Sequence, residues 1–384
     1  MHILEIPTFL PPYGGTFCVD QARALKVHGH EVRILCCQQL GLTIYPWHYI
    51  TASFGRHWTE IEGIETYKTN MRGIPLNIHV NQKRWCRIVY ELFNDYVQLY
   101  GKPDIIHAHC AQWAGVAART ISKQTGIPYF ITEHLSAGMY NGEYLQWAKP
   151  LITEAYHDAE YVITVAKELV TALEPIFGKD YRWTEISNII DTDFFKPSLA
   201  PRQSEKTKPY NLCCIANANK EFLHLKGYDV LAKAWKRFDN DMQLHIAGRD
   251  TRSKRMQSLF SNYKNVILHG ELCKEEIRTL LQQSNALVLP SRSEVQPLVL
   301  LEAMATGIPV VSTEVTPSSE RIPDACFIAR TGDADSLLEK IEEALHSTIP
   351  PTQLHDIVAI IASPTAFYKK FHTLLQPYDN HGRD

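Results

Sequence analysis

Residues 291–313 read SRSEVQPLVLLEAMATGIPVVST and follow the apolar run NALVLP at 285–290. A short apolar run closed by proline reads as a buried strand, and PLVLLEAMAT (297–306) reads as the helix after it. Pro297 suits the first helical position, where its missing N–H costs nothing, and Gly307 suits the residue just past the helix end. IPVVST (308–313) is then the next strand. This places Glu294 in the strand-to-helix loop and Glu302 inside the helix, with seven residues between them. Backbone N–H groups from Gln296 to Val299, Leu298 included, are predicted to point out of the helix start and form an anion site suited to a diphosphate.

The same alternation extends in both directions. NLCCIA, QLHIAG, NVILHG, NALVLP and IPVVST are strand-like and are separated by helical stretches such as YDVLAKAWKRF and KEEIRTLLQQ. Upstream, HILEI, EVRILCC, DIIHAH, IPYFIT, YVITV and WTEIS alternate with helical segments in the same way. Strands alternating with helices imply parallel sheets covered by helices. Between the two sets, SLAPRQSEKTKPY (198–210) is polar and proline-bearing and reads as a solvated connection. The predicted organisation is a first Rossmann-like domain over 1–188, a second over 189–365, and a C-terminal helix and tail over 366–384. That last helix, within SPTAFYKKFHTLLQPY, is amphipathic and follows an already complete second domain, so it is expected to cross back to the first. Ligands of open α/β sheets bind beyond the carboxyl ends of the strands, so the expected site is a cleft between two facing domains.

Composition narrows the function. The 384 residues carry 39 Lys+Arg against 42 Asp+Glu, which provides no global positive field to capture nucleic acid. The N-terminal MHILEIPTFLPP lacks the basic start of a secretory signal, and no stretch reaches the roughly 18 uncharged apolar residues of a membrane span. A cytoplasmic location is expected. The nine cysteines are an odd count without a CxxC spacing, which argues for reduced, mostly buried thiols. No GxGxxG or GxxxxGK[ST] occurs, so dinucleotide and P-loop readings are poor.

Glu-x7-Glu in its strand, loop and helix setting resembles the retaining GT-B glycosyltransferases of family 4. NIIDTDFFKP (188–197), PDIIHAH (103–109) and TEH (132–134) are similar to further segments of that family at matching places. The resemblance implies hexosyl transfer from a nucleotide-diphosphate sugar with retention at the anomeric carbon. It implies that Glu294 hydrogen-bonds the donor sugar's hydroxyls, that Glu302 accepts from the ribose hydroxyls, and that Lys226 of Lys226-Gly227 stabilises the leaving diphosphate. His134 would contact the sugar near the reacting carbon, and the Gly14-Gly15 loop after the first strand would approach the donor closely. The family's arginine at the opening of the second domain is missing. Asn217 falls near its place, and Lys220 supplies a point charge there, though not a bidentate fork.

The expected donor is a UDP-sugar, with a GDP-sugar next, and no metal. The expected acceptor is a glycan or lipid-linked molecule of surface polysaccharide or glycolipid synthesis. His107 and His109 alternate on one strand face, but no third and fourth metal ligands lie nearby in sequence. Asp191-Thr192-Asp193 spells a DxD, which reads as part of the interdomain connection. Residues 81–100 place Trp85, Val89, Phe93 and Tyr96 at helical spacing behind Lys83, Arg84 and Arg87. They read as a core-packing helix, with contact to an anionic membrane surface as the alternative. Tyr45, Trp47, His48, Tyr49 and Trp58 lie in a region suited either to acceptor sugar stacking or to a local core. Rival functions are a nucleotide-sugar epimerase, a nucleotide-sugar-binding protein with a decayed site, and a hydrolase using the two carboxylates as an acid pair.

Overall fold

Fourteen strands form two sheets. In the computed structural model, the described residues are all but 13–14, 43–45, 136, 141, 199–208, 239–240 and 380–384. The first eight strands are β1 (His2–Pro7), β2 (Glu31–Leu40), β3 (His57–Ile61), β4 (Ile64–Arg72), β5 (Ile105–His109), β6 (Tyr129–Glu133), β7 (Tyr161–Thr164) and β8 (Trp183–Glu185). They build a sheet in the order β3-β4-β2-β1-β5-β6-β7-β8. Every pairing in it is parallel except the antiparallel β3–β4 edge.

The other six are β9 (Tyr210–Ile215), β10 (Met242–Ala247), β11 (Val266–Gly270), β12 (Ala286–Val288), β13 (Val310–Thr313) and β14 (Cys326–Ala329). They form a wholly parallel sheet in the order β11-β10-β9-β12-β13-β14. The molecule is therefore α/β with two Rossmann-like units. One comprises Met1–Ile189 and Pro364–Asp384, and the other Ile190–Ser363.

The apolar periodicity accounts for the cores. Alternate residues of a strand face opposite sides of the sheet. Thus Cys213 packs among Leu280, Leu301 and Met304, while its neighbour Cys214 packs among Tyr228, Trp235 and Val288. Adjacent cysteines act here as small apolar side chains, and burial pushes both thiols up to about 12. Helix Ile78–Tyr100 buries Trp85, Val89, Phe93 and Tyr96, and the Trp85 indole donates to the Cys37 carbonyl. Its apolar face is thus a core face. The C-terminal helix Pro364–Leu375 belongs to the first unit: Phe367, Phe371, Leu374 and Leu375 complete the core formed by Val19, Leu25, Ile34 and Phe130.

Sequence periodicity missed the β3–β4 hairpin, which is polar at many positions and half-exposed. Trp58 on β3 stacks on Tyr67 with ring centroids 4.9 Å apart and meets Tyr100 edge-on at 5.2 Å, so it belongs to a local aromatic cluster. Tyr49 lies under the Arg72 guanidinium, whereas Trp47 is 73% exposed. Tyr45 and Gly14 lie outside the described residues.

Candidate functional site

Both sheets reverse strand order at one point, and there the loops at the strand ends diverge and leave room for a ligand. In the second unit the reversal lies between β9 and β12, where the loops after these strands carry Lys226 and Glu294. Lys226 Nζ donates to Glu294 Oε1 at 2.7 Å, and Ser291 Oγ donates to the same oxygen at 2.6 Å. The pair is largely shielded, with 20% of the lysine and 8% of the glutamate side chain exposed.

The Lys-Gly pair has a steric reason. Gly227 has φ +70°, and a Cβ there would lie 1.9 Å from the Pro290 carbonyl oxygen. Only glycine lets the turn before helix Tyr228–Trp235 press against the end of the β12 segment, which sets Lys226 beside Glu294. The contact is reinforced by Arg292, which the sequence reading passed over. Its guanidinium donates to both Asp229 carboxylate oxygens, at 2.7 and 2.8 Å, and to the His224 carbonyl, while its N–H donates to the Leu225 carbonyl. A bidentate fork of this kind fixes orientation as well as distance. Desolvation opposes ionisation of Asp229, and Arg292 outweighs it, holding the carboxyl below its usual range.

Helix Leu298–Ala305 starts one residue later than predicted, with Pro297 in extended conformation as its cap residue. No side chain caps it, so its first turn keeps the anion-favouring end. Gln296, Leu298, Val299 and Glu302 are all partly exposed along this loop and helix. Gly307 follows the helix with φ +80°.

Around the expected arginine, Asn217 is exposed and its side-chain oxygen accepts from the Arg249 N–H at 3.0 Å. Ala218 N–H donates to the Arg249 carbonyl, so the loops after β9 and β10 are joined at this point. It is the Arg249 backbone that meets Asn217, while the Arg249 guanidinium pairs with Glu271 at 3.2 Å. Lys220 is exposed. Asp191 accepts from the Phe194 N–H and pairs with Lys274, and Phe195 is buried in the second unit's core, so this DxD serves the crossing segment.

The first unit reverses between β1 and β5. There Glu5 on β1 lies among the histidines of β5. Its Oε2 accepts from His109 Nε2 at 2.7 Å and lies 2.9 Å from His107 Nδ1. His107 Nε2 meets Thr132 Oγ1 at 2.7 Å. All three side chains are buried. Burial opposes ionisation of Glu5, but the neighbouring imidazoles outweigh it and hold the carboxyl at about 2. Burial, helped by His107, takes His109 down to about 4. The ligand atoms of Glu5, His107 and His109 lie within 4.8 Å of one another, close enough to hold a metal. His109 Nε2 is hydrogen-bonded to Glu5, whereas Glu5 Oε1 and His107 Nδ1 are buried without a hydrogen-bond partner among the described residues.

His134 follows β6, and its Nε2 lies 3.1 Å from His109 Nδ1. The Phe17 ring stacks on it at 3.8 Å. Gly15 makes room for that stack, since a Cβ on it would come within 2.4 Å of the Phe17 ring. Burial, then His109 and His107, hold His134 well below its ordinary value, so it is neutral at pH 7.

The turn that carries His134 is shaped by Glu133, whose buried carboxylate accepts from the His134 and Leu135 N–H groups, the Ala111 N–H, and the Tyr140 and Tyr156 hydroxyls. In TEH the glutamate is thus the scaffold and the histidine the presented group. After β5, Cys110 takes φ +71° and residues Ala111–Gly115 form a π-helical turn, a distortion found mostly at functional sites.

Two Rossmann-like α/β units match the GT-B architecture of glycosyltransferases. The chain belongs to the family-4-type glycosyltransferases, retaining enzymes that move a sugar from a nucleotide-diphosphate donor to an acceptor. Glycosyltransferase Family 4 matches residues 14–194, and Glycosyl transferases group 1 matches residues 200–357.

TuaC, a Bacillus subtilis glycosyltransferase named for teichuronic acid biosynthesis, is 23% identical over 80% of this chain and 79% of its own. Further curated relatives align over 50 to 66% of their lengths. The fold is shared with sucrose-phosphate synthase of Thermosynechococcus elongatus, at TM-score 0.78, 18% identity, and coverage of 98% of this chain and 99% of that one. It is also shared with HepE of Anabaena, solved with UDP, at TM-score 0.71, 16% identity, and coverage of 98% and 100%.

Proposed function

We propose that the chain transfers a hexosyl unit from a UDP-sugar to a glycan or lipid-linked acceptor in surface polysaccharide synthesis, without a metal. The observation that carries this reading is the Lys226–Glu294 pair at the strand reversal of the second unit. A cation paired with the loop that leads into the uncapped start of helix Leu298–Ala305 suits a diphosphate, and a shielded carboxylate suits sugar hydroxyls. In this reading the diphosphate takes over Lys226, which frees Glu294 Oε1 for the sugar. Glu302 and Gln296 serve the nucleoside side, with the N–H groups of Leu298 and Val299 on phosphate. Asn217 and Lys220 line the same loop, and Gly15 and His134 act from the first unit.

The acceptor hydroxyl attacks on the face the leaving group departs from. The C–O bond to the diphosphate breaks as the new glycosidic bond forms, and the hydroxyl proton passes to the departing phosphate oxygen. Lys226 stabilises the charge that develops there.

The UDP and surface-polymer assignments lean on HepE and TuaC. Among the described residues no helix is long and apolar enough to cross a membrane. The exposed Leu76 and Val80, near the basic Lys83, Arg84 and Arg87 in sequence, favour peripheral contact with the cytoplasmic membrane face.

A thermal-shift panel of UDP, GDP, ADP and their sugar conjugates tests the donor, since a ligand of the native state raises apparent stability. UDP and its conjugates are expected to raise Tm selectively, with the shift lost in Glu302→Ala. No shift with any nucleotide on folded protein would sink the reading.

A further inference from the structure

The hydrogen-bonded chain in the first unit fixes where each proton sits. Glu5 is an acceptor only, because an ionised carboxylate has no proton to give. His109 Nε2, 2.7 Å from it, must therefore be the donor. A neutral imidazole carries one proton, so His109 Nδ1 is a lone pair, and it faces His134 Nε2 at 3.1 Å. His134 Nε2 must then be protonated, which leaves its Nδ1 as a bare acceptor. That nitrogen is buried and has no hydrogen-bond partner among the described residues. The low values of Glu5, His109 and His134 agree with one ionised and two neutral groups. Besides these, the titratable group facing the two histidines is His107, which turns its Nδ1 to the same Glu5 oxygen.

We propose that Glu5 and His109 are positioning residues that hold His134 in the tautomer protonated at Nε2, so that Nδ1 meets the transferring sugar as an acceptor for one of its hydroxyls. The inference rests on reading His134 as a sugar contact. It adds the direction of the hydrogen bond and the two buried residues that set it. Phe17, stacked on the ring, holds its plane, so the direction of the Nδ1 lone pair is fixed as well.

The test is ¹⁵N spectroscopy of the imidazole rings in the full chain without nucleotide, with the His134 signals assigned by their loss in His134→Gln. Expected is a protonated Nε2 and an unprotonated Nδ1, unchanged from pH 6 to 8. A proton on Nδ1, titration near the ordinary value, or stoichiometric zinc in the purified protein would overturn the proposal. His109→Phe removes the acceptor and is expected to mix the two tautomers of His134, while His109→Asn, which offers an oxygen near the Nδ1 position, restores one. A single unchanged tautomer in folded His109→Phe would also overturn it. If His109→Phe does not fold, the unmutated chain still decides.

In turnover, His134→Asn is expected to keep about tenfold more kcat than His134→Leu, the worth of one hydrogen bond; equal losses would exclude the acceptor role. The nucleotide panel tests the donor reading separately, so the two failures are distinguishable.

Discussion

The two strand reversals solve the same problem by opposite means. In the second unit, Lys226 and Glu294 form a largely shielded ion pair, which the proposed donor diphosphate would part. In the first, buried Glu5 and His109 and part-buried His134 lie in line, and the two imidazoles are held below their ordinary values. Charge pairing keeps a site ready to exchange partners. Burial keeps a site fixed, because each proton has only one place to go.

The largest expected effect comes from breaking the charged pair. Lys226→Ala should lower kcat by about 100- to 1,000-fold, the cost of removing one group that stabilises developing charge. Lys226→Arg should restore only part of it, since a planar fork does not reproduce a compact ammonium. Steady-state kinetics with the donor found in the nucleotide panel checks both, and near-normal turnover in Lys226→Ala would remove this residue from the reaction.

In the buried site the matching test is Glu133→Gln, which points an amide NH2 at donors already in place. About 3 kcal/mol of stability should be lost. Nucleotide binding by the second unit should survive, and denaturant unfolding with a parallel nucleotide titration reads both.

Acid separates the regions next. His109 stays unprotonated in the folded chain down to about 4, while the unfolded chain takes up its proton near 6.5. More protons bound by the unfolded state means that the stability present above pH 6.5 is lost as pH falls toward 4. Glu5, held at about 2 against an ordinary 4.5, adds a loss below pH 4.5. The expected decline is of order 2 kcal/mol between pH 7 and pH 4.5. Urea midpoints that stay flat over this range in the intact chain, or that fall equally in His109→Phe, would contradict it.

The smallest effect belongs to Arg292→Lys, which keeps the charge but loses the two-pronged contact with Asp229. About 0.5 to 1 kcal/mol is expected for this partly exposed pair. A rise in donor KM should accompany it as the 291–294 loop loosens.

Alternation of apolar runs made the two sheets and the β12 loop-helix legible in the sequence, because strand and helix periods are local. The loop acid Glu294 and the Lys226-Gly227 pair were legible through resemblance, but their contact was not. It depends on Gly227 pressing on Pro290, an approach across 63 residues of chain. Glu5 was hidden inside an apolar strand, and its partner His109 lies 104 residues away. Glu133 stood in plain view in TEH, yet its five donors come from four separate places, including Ala111, Tyr140 and Tyr156. The junction of Asn217 with the Arg249 backbone was not legible, because Arg249 follows β10 rather than β9. Edge strands such as β3 escape periodicity because neither face is fully buried.

The last helix, Pro364–Leu375, has a consequence for synthesis on the ribosome. The chain leaves its first unit at Ile189 and returns at Pro364, so all of residues 190–363 emerge before the first core can close over Phe367 and Phe371. The unit begun first is finished last. Its nascent form must wait with an apolar groove open beside Val19 and Leu25, a natural client for a holding chaperone until Pro364–Leu375 has emerged.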